Sequence, residues 1–224
     1  ARMGTYTAVF TRSFKLAIIA TLIALLIGYP VSYMLSKEGP QVQRIAMVLI
    51  MLPMWMNFLL RTYSWMSILE NNGLLNQLFQ QIGLIDLYNQ VAMHFAADPA
   101  AYVPIDHFQM IGTQGAVVLG MVYNYLPFMI LPIYSVLVKL DHSLIEAARD
   151  LGASSVQVFR KVILPLSLPG VLSGITMVFV PSVSTFAISR LLGGGTQMML
   201  GDLIEQQFLG GAYNPQLGAA IALV

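Results

Sequence analysis

Long uncharged stretches alternate with short polar ones along this chain. Residues 16–36 (LAIIATLIALLIGYPVSYMLS) carry no charge and have about the length a helix needs to cross a bilayer. Gly28 and Pro30 fall near the far end of that stretch, and membrane spans tolerate both. A charged turn with Lys37, Glu38, Gly39, Pro40 and Arg44 leads to a second stretch over 45–67, which runs past Pro53 and offers Trp55 and Trp65 as interface anchors. A third span is predicted over 115–138, kinked at Pro127 and Pro132. The run 162–189 is again uncharged but too long for one straight crossing. Pro181 is therefore expected to break it and leave 182–189 as a re-entrant piece at the mouth of a cavity. Residues 217–224 look like the opening turns of a further span, so the sequence reads as a piece of a longer protein, truncated at both ends.

The polar segments predict short elements. Residues 1–15, with Arg2, Arg12 and Lys15, form a polar lead-in. After the turn Glu70-Asn71-Asn72-Gly73, Leu74, Leu75, Leu78, Phe79 and Ile82 recur at helical spacing up to Gly83, a helix too short to span. Residues 84–110 read as a loop containing Asp86, Asp98, Pro99, Pro104 and Asp106, and its His94 and His107 lack ligand spacing and read as solvated loop histidines. Residues 191–195 form a glycine turn, and 202–208 a second short surface helix.

The stretch 139–161 (KLDHSLIEAARDLGASSVQVFRK) concentrates charge of both signs between two of the longest uncharged runs. Ser143 and Glu146 have capping-box spacing, which starts a helix at Leu144. Gly152 supplies the left-handed stop, and Ser154 with Gln157 repeats the cap for a second helix. The prediction is a short helix, a sharp turn and a second helix entry, held outside the membrane and shaped to be gripped.

Composition fixes the solvent. Only 9% of residues are charged and 57% are hydrophobic, whereas soluble domains carry roughly 25% charged residues. Most of the surface must therefore face lipid. There are no cysteines, so disulfide, thiol and cysteine-metal chemistry are excluded, and the 14 methionines read as adaptable packing between helices. A net charge of +1 without a basic face argues against nucleic acid. The chain has no Gly-x4-Gly-Lys-[Ser/Thr] cradle. Gly193-Gly194-Gly195-Thr196 lacks the lysine and reads as a turn, and no paired carboxylates, His/Glu metal spacing or nucleophile elbow replace the cradle. The spans hold no Asp or Glu for a proton relay, which weighs against a secondary carrier.

Charge asymmetry orients the chain. Between Arg61 and Lys139 there is no Lys or Arg, and that region carries Glu70, Asp86, Asp98 and Asp106. The opposite loops carry Lys37, Arg44, Lys139, Arg149, Arg160 and Lys161, which makes them cytoplasmic by the positive-inside rule. The basic lead-in then falls outside, against the rule, unless an upstream span precedes it. Arg61 reads in two ways. On a continuous helix from Ile45 it lies about 24 Å along the axis, close to the opposite surface, as an interfacial anchor. The other reading places it on a translocation path.

Loop 139–161 also resembles a known signature. Glu146-Ala147-Ala148, then Gly152 after three intervening residues, then Val162-Ile163-Leu164-Pro165 after nine more, is similar to the EAA pattern of permease subunits of bacterial ABC importers, with Val162 where Ile is usual. The pieces PMWMNFLLRTYSW, ENNGLLN, GMVYNYLPFMILPIYSVLVKLD and RLLGGGTQMMLGDLIEQQF resemble the spermidine/putrescine branch, though 88–110 is longer than that pattern implies. The resemblance implies one all-α permease domain over 1–224, a polytopic transmembrane helical bundle of the MetI-like type with about six helices. Glu146, Ala147, Ala148, Gly152, Leu164 and Pro165 would form the contact to an ATPase. The implied partners are cytoplasmic ATP-binding subunits that hold ATP and Mg, a second permease subunit, an extracytoplasmic substrate-binding protein and the lipid of a bacterial inner membrane. No cofactor is implied in this chain and no enzyme activity of its own. Tyr63, Trp65, Tyr123 and Tyr125 could line the path with Arg61, offering aromatic faces to a polycation in place of carboxylates. Importers of sulfate, iron or phosphonate share the loop signature.

Overall fold

The computed structural model describes residues 2–95, 102–211 and 213–223, without the side chains of Arg2 and Met3. Asp98 and Pro99 of the predicted loop lie outside these residues. Among the described residues every regular element is helical. Three helices, Gly4–Ser36, Gln114–Val138 and Ser155–Ser184, are long and apolar enough to cross a membrane. The chain forms two compact units: residues 1–56 with 121–185, and 57–120 with 186–224.

In the first unit, α1 (Arg2–Ser36) is one continuous helix. The predicted polar lead-in is thus helical and continuous with the apolar run, with Gly4, Gly28 and Pro30 all accommodated inside the helix. After α2 (Pro40–Met51) comes a 3-10 turn, Leu52–Trp55. The predicted second span 45–67 is not one helix. Pro53 takes the early 3-10 position its fixed φ suits, Met56 turns extended (ψ 152°), and Asn57 caps a new helix by accepting from Leu59 N–H at 2.8 Å.

The second long helix, α6 (Gln114–Val138), runs through Pro127 and Pro132. The third ends in α9 (Leu164–Ser184), which packs along α1. Pro181 does not break α9 as expected. The helix continues to Ser184, whose hydroxyl donates to Val180 O, and the chain turns extended only at Thr185. Residues 182–189 are therefore a helix end, a two-residue break and the start of the next helix. Close approach of α6 and α9 depends on glycine. A Cβ on Gly170 would stand 2.8 Å from Pro132 O, and one on Gly174 2.8 Å from Met129 Sδ. Ala24, Met129, Ile133, Leu137, Val158, Ile163, Val171 and Val178 make the shared core.

The second unit holds α3 (Phe58–Leu69), α4 (Leu74–Gln81) and α5 (Leu84–Phe95). The segment predicted as loop from residue 84 is thus helical up to Phe95. Its apolar positions Leu84, Leu87, Tyr88, Val91 and Phe95 follow helical spacing, which the flanking prolines and aspartates obscured. His94 sits in the last turn of α5, and His107 pairs with Asp106 in the loop beyond. Asn76 pins that loop by donating to Phe108 O (3.0 Å) and accepting from Phe108 N–H (2.9 Å). Helices α10 (Ala187–Leu192), α11 (Leu200–Leu209) and α12 (Pro215–Ala222) complete the unit. The predicted surface helix at 202–208 is partly internal: Asp202 is buried, its carboxylate accepting from Ser189 Oγ (2.5 Å) and Met199 N–H (2.9 Å), and burial pushes its pKa up.

Candidate functional site

Loop 139–161 folds as two helices joined by one left-handed residue. Helix α7 (His142–Asp150) begins two residues before the predicted Leu144, because Asp141 rather than Ser143 is its cap. The Asp141 carboxylate accepts from Ser143 N–H at 2.9 Å. An ionised carboxylate is the stronger acceptor for N-terminal N–H groups, and Asp141 reaches them first. That backbone bond holds the carboxyl below its ordinary pKa.

The stop is as predicted. Gly152 adopts φ +82° and donates to Arg149 O (2.8 Å), while Ala153 N–H reaches back to Ala148 O (3.1 Å). These two bonds are the Schellman pattern, and they satisfy carbonyls the helix would otherwise leave open. Ser154 then caps α8 (Ser155–Val158) with a full box: Gln157 Oε1 accepts from Ser154 N–H (2.8 Å), and Ser154 Oγ accepts from Gln157 N–H (3.4 Å).

Between α8 and α9 lies a π-turn, Phe159–Ile163, in which Leu164 N–H donates five residues back to Phe159 O. Sequence reasoning missed it. Its signal was Pro165, which has no N–H to return and whose ring would clash with the carbonyl of Lys161, four residues earlier.

The predicted coupling residues divide by exposure. Glu146, Ala147 and Gly152 are exposed, Ala148 packs against the core, and Leu164 and Pro165 open α9 with exposed surfaces. Leu151, not among the predicted residues, projects at the tip with 89% of its surface exposed. Beneath α7, a cavity is lined by Tyr33, Lys37, Leu140, His142, Ile145 and Ile163.

The predicted path residues fall on two helices. Arg61, Tyr63 and Trp65 share α3, and Tyr123 and Tyr125 share α6. Tyr63 is exposed, whereas Trp65, Tyr123 and Tyr125 are half-buried. Arg61 is only 8% exposed and its Nε has no hydrogen-bond partner. The break at Met56 removes the continuous helix that the interfacial-anchor reading of Arg61 requires.

Residues 20–224 match the family described as binding-protein-dependent transport system inner membrane component. The chain belongs to that family. It is 39% identical over 204 residues to the spermidine/putrescine transport system permease protein PotB of Haemophilus influenzae, covering 91% of this chain and 65% of the relative. The Escherichia coli K12 protein of the same name is 38% identical over 204 residues, with 91% and 67% covered. The chain thus spans about two thirds of the length of these relatives. Among solved structures, a bacterial ABC transporter involved in the import of the acidic polysaccharide alginate contains a chain that aligns with a TM-score of 0.67 at 16% identity, covering 95% of this chain and 72% of that one. That likeness concerns the fold: an all-α polytopic bundle of the MetI-like permease type.

Proposed function

We propose that this chain is the membrane-spanning subunit of an ATP-driven importer for polyamines of the spermidine/putrescine class. As one permease domain it forms the translocation path with a second permease subunit. A separate cytoplasmic ATPase hydrolyses ATP with Mg, and an extracytoplasmic binding protein delivers the solute. The observation that carries this reading is the doubly capped helix pair at 139–161. Its apolar tip, Leu151, stands exposed at a rigid left-handed turn between two helices of membrane-crossing length. Leu144 and Val156 of the same loop are exposed with it, and exposed apolar surface of this kind fits a cleft on a partner protein. The polyamine class is supported by the relatives named for spermidine and putrescine transport.

In mechanism, nucleotide binding closes the ATPase pair and draws the docked loops together, and the spans move as packed bodies. Glu146, Ala147, Ala148 and Gly152 act there by shape and contact rather than bond chemistry. The absence of acidic groups from the spans leaves aromatic faces such as Tyr63, Trp65, Tyr123 and Tyr125 to meet a polycation, so selectivity rests mainly with the binding protein.

The test is reconstitution of the full complex in vesicles. ATP-dependent uptake of labelled spermidine, competed by unlabelled spermidine and putrescine but not by sulfate, is the expected result. Uptake without ATP would make the chain a secondary carrier, and competition by sulfate alone would move it to another importer branch.

A further inference from the structure

A helix that carried motion from loop 139–161 into the membrane as a rigid rod would be α-helical throughout. Here the helix that enters the membrane, Ser155–Ser184, contains the π-turn Phe159–Ile163 just before α9. A π-turn holds one residue more than the α-helix that could replace it. Passing between the two forms shifts one flank against the other by one residue, about 1.5 Å and about 100°. Pro165 disfavours the plain α form, because it supplies no N–H at the step where the four-residue ladder would resume.

The contacts around the turn join its two flanks to a single residue of α1. On the near side, the Phe159 ring stands edge-on to Tyr29 (centroids 6.0 Å, 84°) and Tyr33 (5.4 Å, 70°). On the far side, Tyr29 Oη lies 2.8 Å from Ser167 Oγ. The Ser167 hydroxyl donates its only proton to Leu164 O (2.8 Å), so Tyr29 is the donor to Ser167. Tyr29 therefore spans the π-turn, with its ring on the first residue and its hydroxyl beyond the last. Helix α7 packs against α8 and the π-turn, and the cavity lined by Tyr33, Lys37, His142, Ile145 and Ile163 leaves room for α7 to shift.

We propose that the π-turn Phe159–Ile163 is the hinge through which movement of loop 139–161 reaches α9, and that Tyr29, with Phe159 and Ser167, is the positioning residue that latches it. The hinge rests on the proposed ATPase docking but not on the identity of the solute.

Two variants test it in the full complex. Deleting Val162 together with Pro165→Ala converts the π-turn to plain α-helix while keeping the faces of both flanks. Tyr29→Phe keeps the ring contact and removes only the hydroxyl bond. Tyr29→Phe should retain the ATPase subunit on co-purification, and solute moved per ATP hydrolysed should fall at least tenfold for the first variant and severalfold for the second. A ratio within twofold of the parent in both variants overturns the hinge. Should the deletion variant fail to assemble, Tyr29→Phe alone decides by the same criterion.

A readout independent of solute uses the cysteine-free background. Spin labels at Val156→Cys and Leu172→Cys, both exposed and on opposite sides of the turn, should change separation when nucleotide binds the assembled complex. A fixed separation in a complex that does bind the ATPase overturns the hinge. Failure of the parent chain to bind any ATPase subunit would instead remove the proposed function.

Discussion

Gly152 is where a single side chain has the clearest consequence. Its φ of +82° is costly for any residue with a Cβ, yet a Cβ there would meet no atom within 4 Å. The penalty is purely conformational, about 1–2 kcal/mol, and it falls on the turn rather than on the core. Gly152→Leu should therefore insert and fold, lose most uptake and leave ATP hydrolysis uncoupled from it, while Gly152→Asn, which tolerates the left-handed region, should lose much less. Parallel measurement of uptake and hydrolysis checks both. Asp141 adds a pH dependence with a definite sign. Its carboxyl is held below the ordinary value in the folded loop, so its contribution is present above that ordinary value and is lost as pH falls through the folded pKa. Asp141→Asn keeps an acceptor for Ser143 N–H and should flatten the acid side of the thermal-midpoint profile of the purified protein. A profile unchanged from the parent would place the acid sensitivity elsewhere.

At the scale of elements, the long apolar runs and the glycine stop were legible in the sequence because each depends on local chemistry alone. Residues 115–138 became α6 nearly end to end, and Gly152 and the Ser154–Gln157 box stand as the spacing predicts. What was not legible depended on competition between neighbours. Asp141 outcompeted Ser143 for the cap, Pro53 sat in a 3-10 turn that ended one helix before Asn57 started another, and Pro181 was absorbed where a break was expected. The π-turn was hidden because its cause, Pro165, lies outside it. Packing of α6 on α9 carries a prediction of its own. A methyl on Gly170 would press on Pro132 O and Ile133 Cα, at 2.8 and 3.0 Å, and backbone atoms in two packed helices cannot easily retreat. Gly170→Ala should cost about 1–3 kcal/mol by overpacking. It should also lower the thermal midpoint in detergent, whereas Gly4→Ala, with nothing within 4 Å, should not.

For the whole molecule, the distribution of charge decides which way the chain sits in the membrane. Basic residues gather at 37–44 and 139–161, and the acidic residues from Glu70 to Asp106 share their region with no Lys or Arg. If the first group is cytoplasmic, the tip at Leu151 faces the compartment that holds ATP, and Val103, exposed in the loop after α5, faces the opposite one. The proposed function requires that arrangement, since a partner that hydrolyses ATP can grip only what reaches its side. Because the chain has no cysteine, one introduced thiol reports one position without background. Leu151→Cys in intact cells should resist a membrane-impermeant maleimide, react in inside-out vesicles, and become protected there when the ATPase subunits are co-expressed. Val103→Cys should react in intact cells whether or not they are present. Labelling of Leu151→Cys from outside would reverse the orientation and remove docking with it. Labelling from inside without protection would keep the orientation and assign the ATPase contact to another surface.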